Sequence, residues 1–411
     1  MLRKIPVLLL CICNLFASAE IINVSANNTS IELHQSDGNS IRMSAQLGDL
    51  LLETKEINNQ NFIQFSIPKF HLSNEIGSPQ LPEMHQLIEM PQGATPRIVI
   101  NNIEIEEISL LDLGYDNPIA PVQPSLSKSQ NPDEVDFILN SSAYSTNEFR
   151  NQQYVSVVDE GTMRYVRIGN LFIHAVDYNP VSKMIRVVKD IDFTVHFDNA
   201  NHLRTRELRD NYYSPYFEPI FNQLINYDAQ SFRNDDMISD PATYVIIANS
   251  VFNGYLDEFI EWKTQKGYIV DVAYTNEIGT SASSIRAYLL ELYNNPSLQL
   301  PPPSFVLLVG DTNQLPASYS SGGHVSDLDY CDFTGDNKPD IFHGRFSAQS
   351  PTQLTSQINK TIEYEKYEMA DPSFLGEVVM IAGVDASYAP TYGNGQINYG
   401  TNYYFNSAHD I

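Results

Sequence analysis

The sequence that decides the fold is an uninterrupted apolar run, Phe305-Val306-Leu307-Leu308-Val309. Prolines precede this run at residues 301–303, and Gly310-Asp311 ends it. A short apolar run between such breakers predicts a strand that is buried on both faces of a parallel sheet. Because ligands and reacting groups collect beyond the carboxyl ends of parallel strands, a functional site is expected first in the segment after Gly310.

Strand and helix patterns alternate on both sides of this run, from residue 241 to the end of the chain. Apolar runs predict further strands at Tyr244–Ala248, Tyr268–Val272 and Val378–Ala382. Helical spacing predicts helices at Tyr255–Lys266, around residues 285–292, and from Pro351 onward. The last helix should begin with Ser350 as its N-cap, and Gln353 should complete a capping box. This series predicts a parallel sheet with helices on both faces.

Residues 20–227 have a different pattern, rich in strands and almost free of helical periodicity. The segment Asp192–Asp198 alternates apolar and polar residues, with Phe193, Val195 and Phe197 on one face. Such alternation predicts a β-sandwich or barrel-like domain. The polar residues 228–240 follow it and form the predicted linker, which is an accessible place for proteolytic processing.

Residues 1–19 have the pattern of a secretory signal peptide. Arg3 and Lys4 supply the positive start, Val7–Phe16 the apolar core, and Ala17-Ser18-Ala19 a small-residue cleavage site. This core is too short to span a bilayer, and no later stretch reaches the ~20 apolar residues that a transmembrane helix needs. A secreted protein without a transmembrane segment is therefore expected.

The charge, the missing motifs and the cysteine count of the chain limit which partners and reactions are expected. The 411 residues carry a formal charge of −26, which argues against a nucleic-acid partner, and their number predicts two domains or more. No Gly-x-Gly-x-x-Gly motif follows the first α/β strand, which argues against a dinucleotide site. After removal of the signal peptide only Cys331 remains. Its neighbours Asp329 and Asp332 disfavour a thiolate, so Cys331 is not predicted to be a nucleophile.

A dense group of carboxylates follows the deciding strand, at Asp327, Asp329, Asp332, Asp336 and Asp340. Like charges this close raise one another's pKa unless a cation or water screens them. Residues 332–340 are rich in oxygen ligands and contain a glycine turn, as calcium loops do, but they lack the full EF-hand spacing. The sequence leaves two interpretations open, a structural calcium loop and a solvated acidic loop.

Several different short motifs occur along the chain in a definite order. Those within residues 20–227 are Gly77–Pro82, Leu87–Ala94, Tyr178-Asn179-Pro180 and Tyr213–Pro219. Those in the second half are Phe259–Gly267, Leu315-Pro316-Ala317, Ser326-Asp327 and Gly344–Ser347. In this order they resemble the gingipain family of secreted bacterial cysteine peptidases. The first group is similar to the family's propeptide, and the second to the first half of its catalytic domain.

The resemblance implies a β-rich prodomain at residues 20–227, followed at 241–411 by the first part of a caspase-like α/β domain. Its parallel sheet, flanked by helices, would be C-terminally incomplete. The resemblance also implies that the prodomain inhibits its own peptidase, that the substrates are proteins or peptides, and that the protein is secreted or held at the bacterial cell surface. Gingipains bind structural Ca²⁺, and Asp327 matches a ligand position. The predicted calcium ligands are Asp327, Asp332, Asp336 and Asp340.

The family's chemistry implies a catalytic dyad, with a histidine in a Gly-His-Gly turn and a cysteine after a following apolar strand. Such a histidine deprotonates the thiol, and backbone N–H groups stabilise the oxyanion. None of the nine histidines is flanked by glycines, and no cysteine follows Cys331. The catalytic residues are therefore expected beyond Ile411, and the chain as given is expected to be inactive.

The leading hypothesis is a secreted cysteine-type endopeptidase in zymogen form, without its catalytic histidine and cysteine portion. The alternative is a non-catalytic secreted binding or inhibitor-like protein, built on a peptidase propeptide and a remnant of the catalytic domain. A Gly-His-Gly motif and a cysteine in the continuing reading frame would favour the peptidase.

Overall fold

The computed structural model of the chain describes residues 20–67, 70–124, 134–150, 153–228, 241–297, 299–319, 325–380, 397, 400–402 and 404–407. The predicted signal peptide lies outside the described residues, and so does the predicted linker apart from Asp228. Within the described part of the chain, no helix combines the length and the apolar character that a membrane crossing needs.

Residues 20–228 are β-rich, as the alternating patterns predict. Their strands are β1 (Glu20–Asn23), β2 (Ser30–Ser36), β3 (Ser40–Gln46), β4 (Asp49–Ile57), β5 (Gln60–Ser66), β6 (His71–Leu72), β7 (Pro82–Met90), β8 (Thr95–Ser109), β9 (Val155–Met163), β10 (Val166–Ile173), β11 (Val176–Asn179) and β12 (Met184–Asp198). They pair antiparallel in the orders β1-β4-β5, β6-β7-β10-β9 and β11-β12-β3-β2, and β8 also pairs with β12. We call this part of the chain the β-rich region.

The core of the β-rich region follows the period of two along β12. Ile191, Phe193 and Val195 are each fully buried, and their neighbours in sequence turn to the other face. Three short helices complete the region, α1 (Ser141–Ser145), α2 (His202–Tyr212) and α3 (Glu218–Phe221). A near-buried ion pair fixes α2 to β7, because Arg209 Nη2 lies 2.5 Å from Glu89 Oε1.

Residues 241–380, which we call the α/β region, contain the predicted parallel sheet. Its strands are β13 (Thr243–Ala248), β14 (Ile269–Tyr274), β15 (Pro303–Val309) and β18 (Phe342–Phe346), in the order β14-β13-β15-β18. The helices are α4 (Asp257–Gln265), α5 (Thr275–Ile278), α6 (Ala282–Asn294) and α7 (Pro351–Lys366). A separate short hairpin joins β16 (Ser318–Tyr319) to β17 (Val325–Ser326). The fold class predicted from the sequence, a parallel sheet flanked by helices, is confirmed.

The deciding run lies between two other strands of the sheet, as predicted. Alternate residues of β15 face opposite layers: Leu308 packs with Leu289 of α6, whereas Leu307 packs with Leu354 of α7. Both faces of β15 are therefore covered by helices, which is why its sequence shows no polar alternation.

One predicted strand is wrong, and another was missed. Residues 378–380 of the predicted strand Val378–Ala382 belong to no strand, and residues 381–382 lie outside the described part of the chain. The fourth parallel strand is instead β18, which pairs with β15 from Phe305↔Phe342 to Val309↔Phe346. Its sequence, Phe-His-Gly-Arg-Phe, is half-exposed and lacks an apolar run, so only the pairing with β15 identifies it as a strand.

The start of α7 is confirmed in part. Ser350 is the N-cap, and its side chain accepts a hydrogen bond from the Gln353 N–H. The side chain of Gln353, however, accepts from the N–H of Gln349 at 2.8 Å and not from that of Ser350. The reciprocal bond of the predicted capping box is therefore made one residue earlier.

A cluster of ionisable side chains lies on the sheet β6-β7-β10-β9. Glu83 Oε1 is 3.1 Å from His174 Nδ1, and Glu83 Oε2 is 3.6 Å from His85 Nε2. The ring of His71 is 5.1 Å from that of His85. Burial lowers the pKa of His85, and the neighbouring histidines add to this effect. Burial by itself would raise the pKa of Glu83, but the hydrogen bond from His174 and the histidine charges lower it overall.

These shifts predict that acid destabilises the β-rich region. Because the pKa of His85 lies below the ordinary value of about 6.5, the unfolded chain binds more protons, and stability is lost as the pH falls below that value. Glu83 acts in the same direction at lower pH. We expect His85→Gln to reduce the fall in Tm between about pH 7.5 and about pH 5.5. His34→Gln, which changes an exposed histidine of β2, should leave that fall unaltered. Equal falls in wild type and His85→Gln would contradict the assignment.

Candidate functional site

The carboxyl ends of β15 and β18 form one compact edge. Gly310 follows β15 with a φ of 137°, and its N–H donates to the Phe346 carbonyl at 2.9 Å. A Cβ at Gly310 would lie 2.9 Å from Cβ of Gln314, so the chain needs glycine here to turn back. The carboxylate of Asp311 then accepts hydrogen bonds from Ser347 at 2.9 Å and from Gln349 at 2.7 Å. The loops that follow the two strands are thereby joined.

Arg345 connects the loops at this edge, partly through an ion pair with Asp327, the first predicted calcium ligand. Its guanidinium donates to both carboxylate oxygens of Asp327, at 2.8 and 2.7 Å, and both side chains are largely buried. The same guanidinium also donates to three backbone carbonyls, those of Gly310, Leu315 and Pro316. Asp327 is therefore the counter-ion of a buried cation, a role that its sequence position did not reveal.

The second predicted ligand, Asp332, is turned onto its own loop. Its Oδ1 accepts from the N–H groups of Gly335 at 2.6 Å and Asp336 at 3.2 Å, and its Oδ2 accepts from that of Asn337 at 2.8 Å. Gly335 and Asn337 both have positive φ, at 79° and 64°. The carboxylate thus closes a tight turn in the segment 332–340, which we call the acidic loop.

The remaining two predicted ligands face the β-rich region. Asp336 Oδ2 accepts from the N–H of Thr162 at 2.6 Å, and Asp340 Oδ1 accepts from that of Arg164 at 2.8 Å. The other oxygen of Asp340 accepts from the N–H of Phe333 at 2.8 Å. The pKa of Asp340 is raised to about 7, because burial and the charges of Asp336 and Asp332 raise it by more than the two backbone hydrogen bonds lower it.

The four predicted ligands do not fit one shared calcium site. Across the described residues, no group of three or more His, Cys, Asp or Glu side chains has the arrangement that a metal ion requires. The carboxylates are divided between Arg345, the turn of the acidic loop and the β-rich region, and in each case N–H donors face their oxygens. A Ca²⁺ ion would need those same oxygens as ligands. Calcium binding therefore stays a prediction from the sequence, and the hydrogen bonds of these carboxylates argue against it.

Cys331 lies in the same segment and is fully buried. Burial raises the pKa of its thiol, and the negative charges of Asp327 and Asp340 raise it further. A thiol that holds its proton is a poor nucleophile. The buried Cys331 is therefore a poor candidate for the nucleophile.

The residue that joins the two regions, Arg164, was missed by sequence reasoning. It lies in the turn between β9 and β10, with a φ of 58°, and only 3% of it is exposed. Its guanidinium donates to four backbone carbonyls, which we call the Arg164 socket: Tyr212, Pro302, Pro303 and Asp340. The guanidinium carbon also lies 5.1 Å from the ring centre of Phe217. Nothing in the local sequence distinguishes this arginine from a surface one, because its partners are backbone atoms far along the chain.

Aromatic side chains extend the contact around the socket. The segment 212–217, which begins at the last residue of α2, places three rings against the α/β region. The pairs and their centroid distances are Tyr212–Tyr293 at 4.6 Å, Tyr216–Phe305 at 4.8 Å and Phe217–Phe342 at 4.1 Å. Phe305 and Phe342 stand at the beginnings of β15 and β18. The β-rich region is therefore fixed at the amino ends of these strands, opposite the edge at Gly310 and Arg345.

Two family models match the chain in sequence. The propeptide model, Propeptide_C25, matches residues 24–230, and the model of peptidase family C25 matches residues 238–409. The chain therefore belongs to peptidase family C25, with the family's propeptide in front of the peptidase segment. The resemblance to gingipains drawn from the short motifs is confirmed.

Relatives with curated descriptions include two gingipains from Porphyromonas gingivalis. Lys-gingipain W83 is 35% identical over 398 residues, which make up 96% of this chain and 23% of the relative. Gingipain R2 of strain ATCC 33277 is 27% identical over 328 residues, which make up 79% of this chain and 42% of the relative. The chain thus spans less than a quarter of the length of Lys-gingipain W83.

Solved structures of the same family also match. A structure described as showing the zymogenic latency of gingipain K from Porphyromonas gingivalis is 32% identical, with a TM-score of 0.42, over 44% of this chain and all of that one. A complex of the Porphyromonas gingivalis RgpB pro- and mature domains is 19% identical, with a TM-score of 0.40, over 48% of this chain and 98% of that one.

The fit of the acidic loop against the β9–β10 hairpin depends on Gly161. Its φ is 110°, and a Cβ there would lie 2.6 Å from Oδ2 of Asp336. We expect Gly161→Ala to destabilise the chain by about 1–3 kcal/mol more than Gly114→Ala. Gly114 also has a positive φ, of 86°, but a Cβ there meets no atom within 4 Å, so it controls for backbone strain alone. Urea unfolding measures both, and equal losses would mean that the contact with Asp336 contributes nothing.

The hydrogen bonding of the carboxylates also predicts the response to calcium. We expect the Tm in excess Ca²⁺ to match that in a chelator, because the loop oxygens already accept N–H groups. A site filled at 100 times its Kd would instead add about 2.7 kcal/mol to the free energy of unfolding. A clear rise in Tm with Ca²⁺, lost in Asp332→Asn, would establish the calcium site after all.

Proposed function

We propose that this chain is the propeptide and the first part of the catalytic domain of a secreted cysteine-type endopeptidase, held in zymogen form. Membership of peptidase family C25 supports the chemistry. The observation that carries the zymogen assignment is the buried contact between the β-rich and α/β regions, formed by Arg164 and the segment 212–217. A propeptide that stays bound to its peptidase needs such a contact.

The nucleophile is proposed to lie outside the described residues. A cysteine peptidase needs a thiol that a neighbouring histidine can deprotonate. Burial raises the pKa of the Cys331 thiol, which makes it unsuitable. The edge at Gly310 and Arg345 would then support the catalytic centre without supplying the attacking atom.

Secretion is proposed from the pattern of residues 1–19, which combines a basic start, a short apolar core and a small-residue cleavage site. Secretion or display at the cell surface suits a peptidase that is made with its own inhibitor. Proteins and peptides are the proposed substrates. Substrates with lysine immediately before the cleaved bond should be tested first, because one relative is named Lys-gingipain.

The test uses the product of the complete reading frame that contains this sequence. We expect thiol-dependent hydrolysis of peptide substrates, with activity rising after the chain is cut between residues 228 and 241. Cys331→Ser should retain full activity, because its buried thiol takes no part. A folded product without hydrolysis before or after the cut would favour the binding-protein alternative. Loss of hydrolysis in a folded Cys331→Ser variant would contradict the assignment of the nucleophile.

A further inference from the structure

We propose that Arg164 is the anchor that keeps the β-rich region bound to the α/β region after the chain is cut between them, with the backbone carbonyls of Pro302, Pro303 and Asp340 as its receptor. The proposal deepens the zymogen assignment, since the occasion for such a cut rests on it. The contact itself rests on the structure alone. It assigns to the acidic loop a protein-binding role through the contacts of Asp336 with Thr162 and of Asp340 with Arg164.

The first support is the way the guanidinium is bound. Three of the four carbonyls in the Arg164 socket, those of Pro302, Pro303 and Asp340, belong to the α/β region. Nη1 lies 2.6 Å from the Pro303 oxygen and 3.0 Å from the Asp340 oxygen. Arginine has five N–H donors in a rigid fork, so a single side chain can satisfy several carbonyls that water does not reach. Removing the side chain leaves those buried carbonyls without donors.

The second support is the main chain of the same hairpin. The N–H groups of Thr162 and Arg164 donate to the carboxylates of Asp336 and Asp340. A peripheral ion pair between Glu160 and Lys338, 3.7 Å apart, adds to these contacts. The acidic loop therefore presents carboxylates to two N–H groups of one hairpin, that of Thr162 near the end of β9 and that of Arg164 in the turn. Hydrogen bonds to charged groups are stronger than neutral ones.

The third support is the position of the contact at one end of the parallel sheet. The socket and the aromatic pairs lie at the amino ends of β15 and β18, whereas Arg345 and Asp311 lie at the carboxyl ends. In the described residues, the anchor thus occupies the end of the sheet away from the edge where a catalytic centre is expected. One set of residues would therefore hold the β-rich region in place, and a different set would cover the catalytic centre. Arg164 belongs to the first set.

The test requires a cut protein and a measure of binding. A recognition site for a sequence-specific protease is inserted between residues 228 and 241 of the full product, and size-exclusion chromatography follows cleavage. We expect the wild-type parts to co-elute, and to do so at about 1 M NaCl, because buried contacts are screened little by salt. Separation of the wild-type parts at low salt would overturn the proposal.

The decisive variant is Arg164→Gly. Glycine accepts the positive φ of this turn, so the variant removes the guanidinium without adding backbone strain. We expect the Kd between the cut parts to rise by about 100-fold or more. Lys183→Gly is the matched control, because Lys183 is also a cation with positive φ, 56°, in a turn of the β-rich region. It should bind as the wild type does. An unchanged Kd in Arg164→Gly would overturn the proposal.

A conservative variant distinguishes loss of the contact from misfolding of the protein. Arg164→Lys keeps the charge and the apolar stem but lacks the planar fork, so we expect it to fold and to bind with an intermediate Kd. Wild-type binding by Arg164→Lys would contradict recognition through several carbonyls. None of these measurements depends on peptidase activity of this protein. Co-elution without peptidase activity would refute the proposed function while leaving the anchor intact.

Discussion

The contact between the two described regions depends on a buried arginine that donates to backbone carbonyls. Arg164 leaves the turn of one hairpin in the β-rich region and enters the α/β region, where carbonyls of Pro302, Pro303 and Asp340 accept its N–H groups. Burial lowers the pKa of this guanidinium, which measures the cost of removing a cation from water. The hydrogen bonds, the nearby Asp340 and two aromatic rings offset that cost. Separating the regions would return the cation to water but would leave the carbonyls to find new donors.

The acidic loop shows how one set of carboxylates can serve several purposes. Asp327 neutralises Arg345, Asp332 closes a turn, and Asp336 and Asp340 receive N–H groups from the β-rich region. A cation could relieve the crowding of charges in such a loop, and so can hydrogen-bond donors and arginine. In the described residues, N–H donors and Arg345 face these oxygens. The raised pKa of Asp340 reflects the remaining cost of burial.

The two ends of the parallel sheet have different duties. At the amino ends, Phe305 and Phe342 contact rings of the segment 212–217, and this contact holds the β-rich region. At the carboxyl ends, Arg345 gathers the carbonyls of the loop after β15, and Asp311 joins that loop to the one after β18. Under the proposed function, the contacts at the amino ends would retain the propeptide, and those at the carboxyl ends would support the catalytic centre.

The sequence by itself determined the elements whose signals are local. The run from Phe305 to Val309 predicted a doubly buried strand, the alternation along β12 predicted a sheet with one buried face, and ordered motifs predicted the family. These signals suffice because burial on a known number of faces imposes a period on the residues themselves. The N-cap at Ser350 was predictable for the same reason, since a cap acts within three residues of its own position.

Only the tertiary structure decided which partners the polar groups found. The strand β18 exists because β15 pairs with it, and its own five residues carry no apolar pattern. Arg164, Asp327 and Asp340 owe their roles to atoms that lie between 18 and 176 residues away in the chain. A carboxylate can accept from a backbone N–H or pair with a cation, and a guanidinium can donate to a carbonyl or to a carboxylate. The neighbours of each group in space decide which of these contacts it makes.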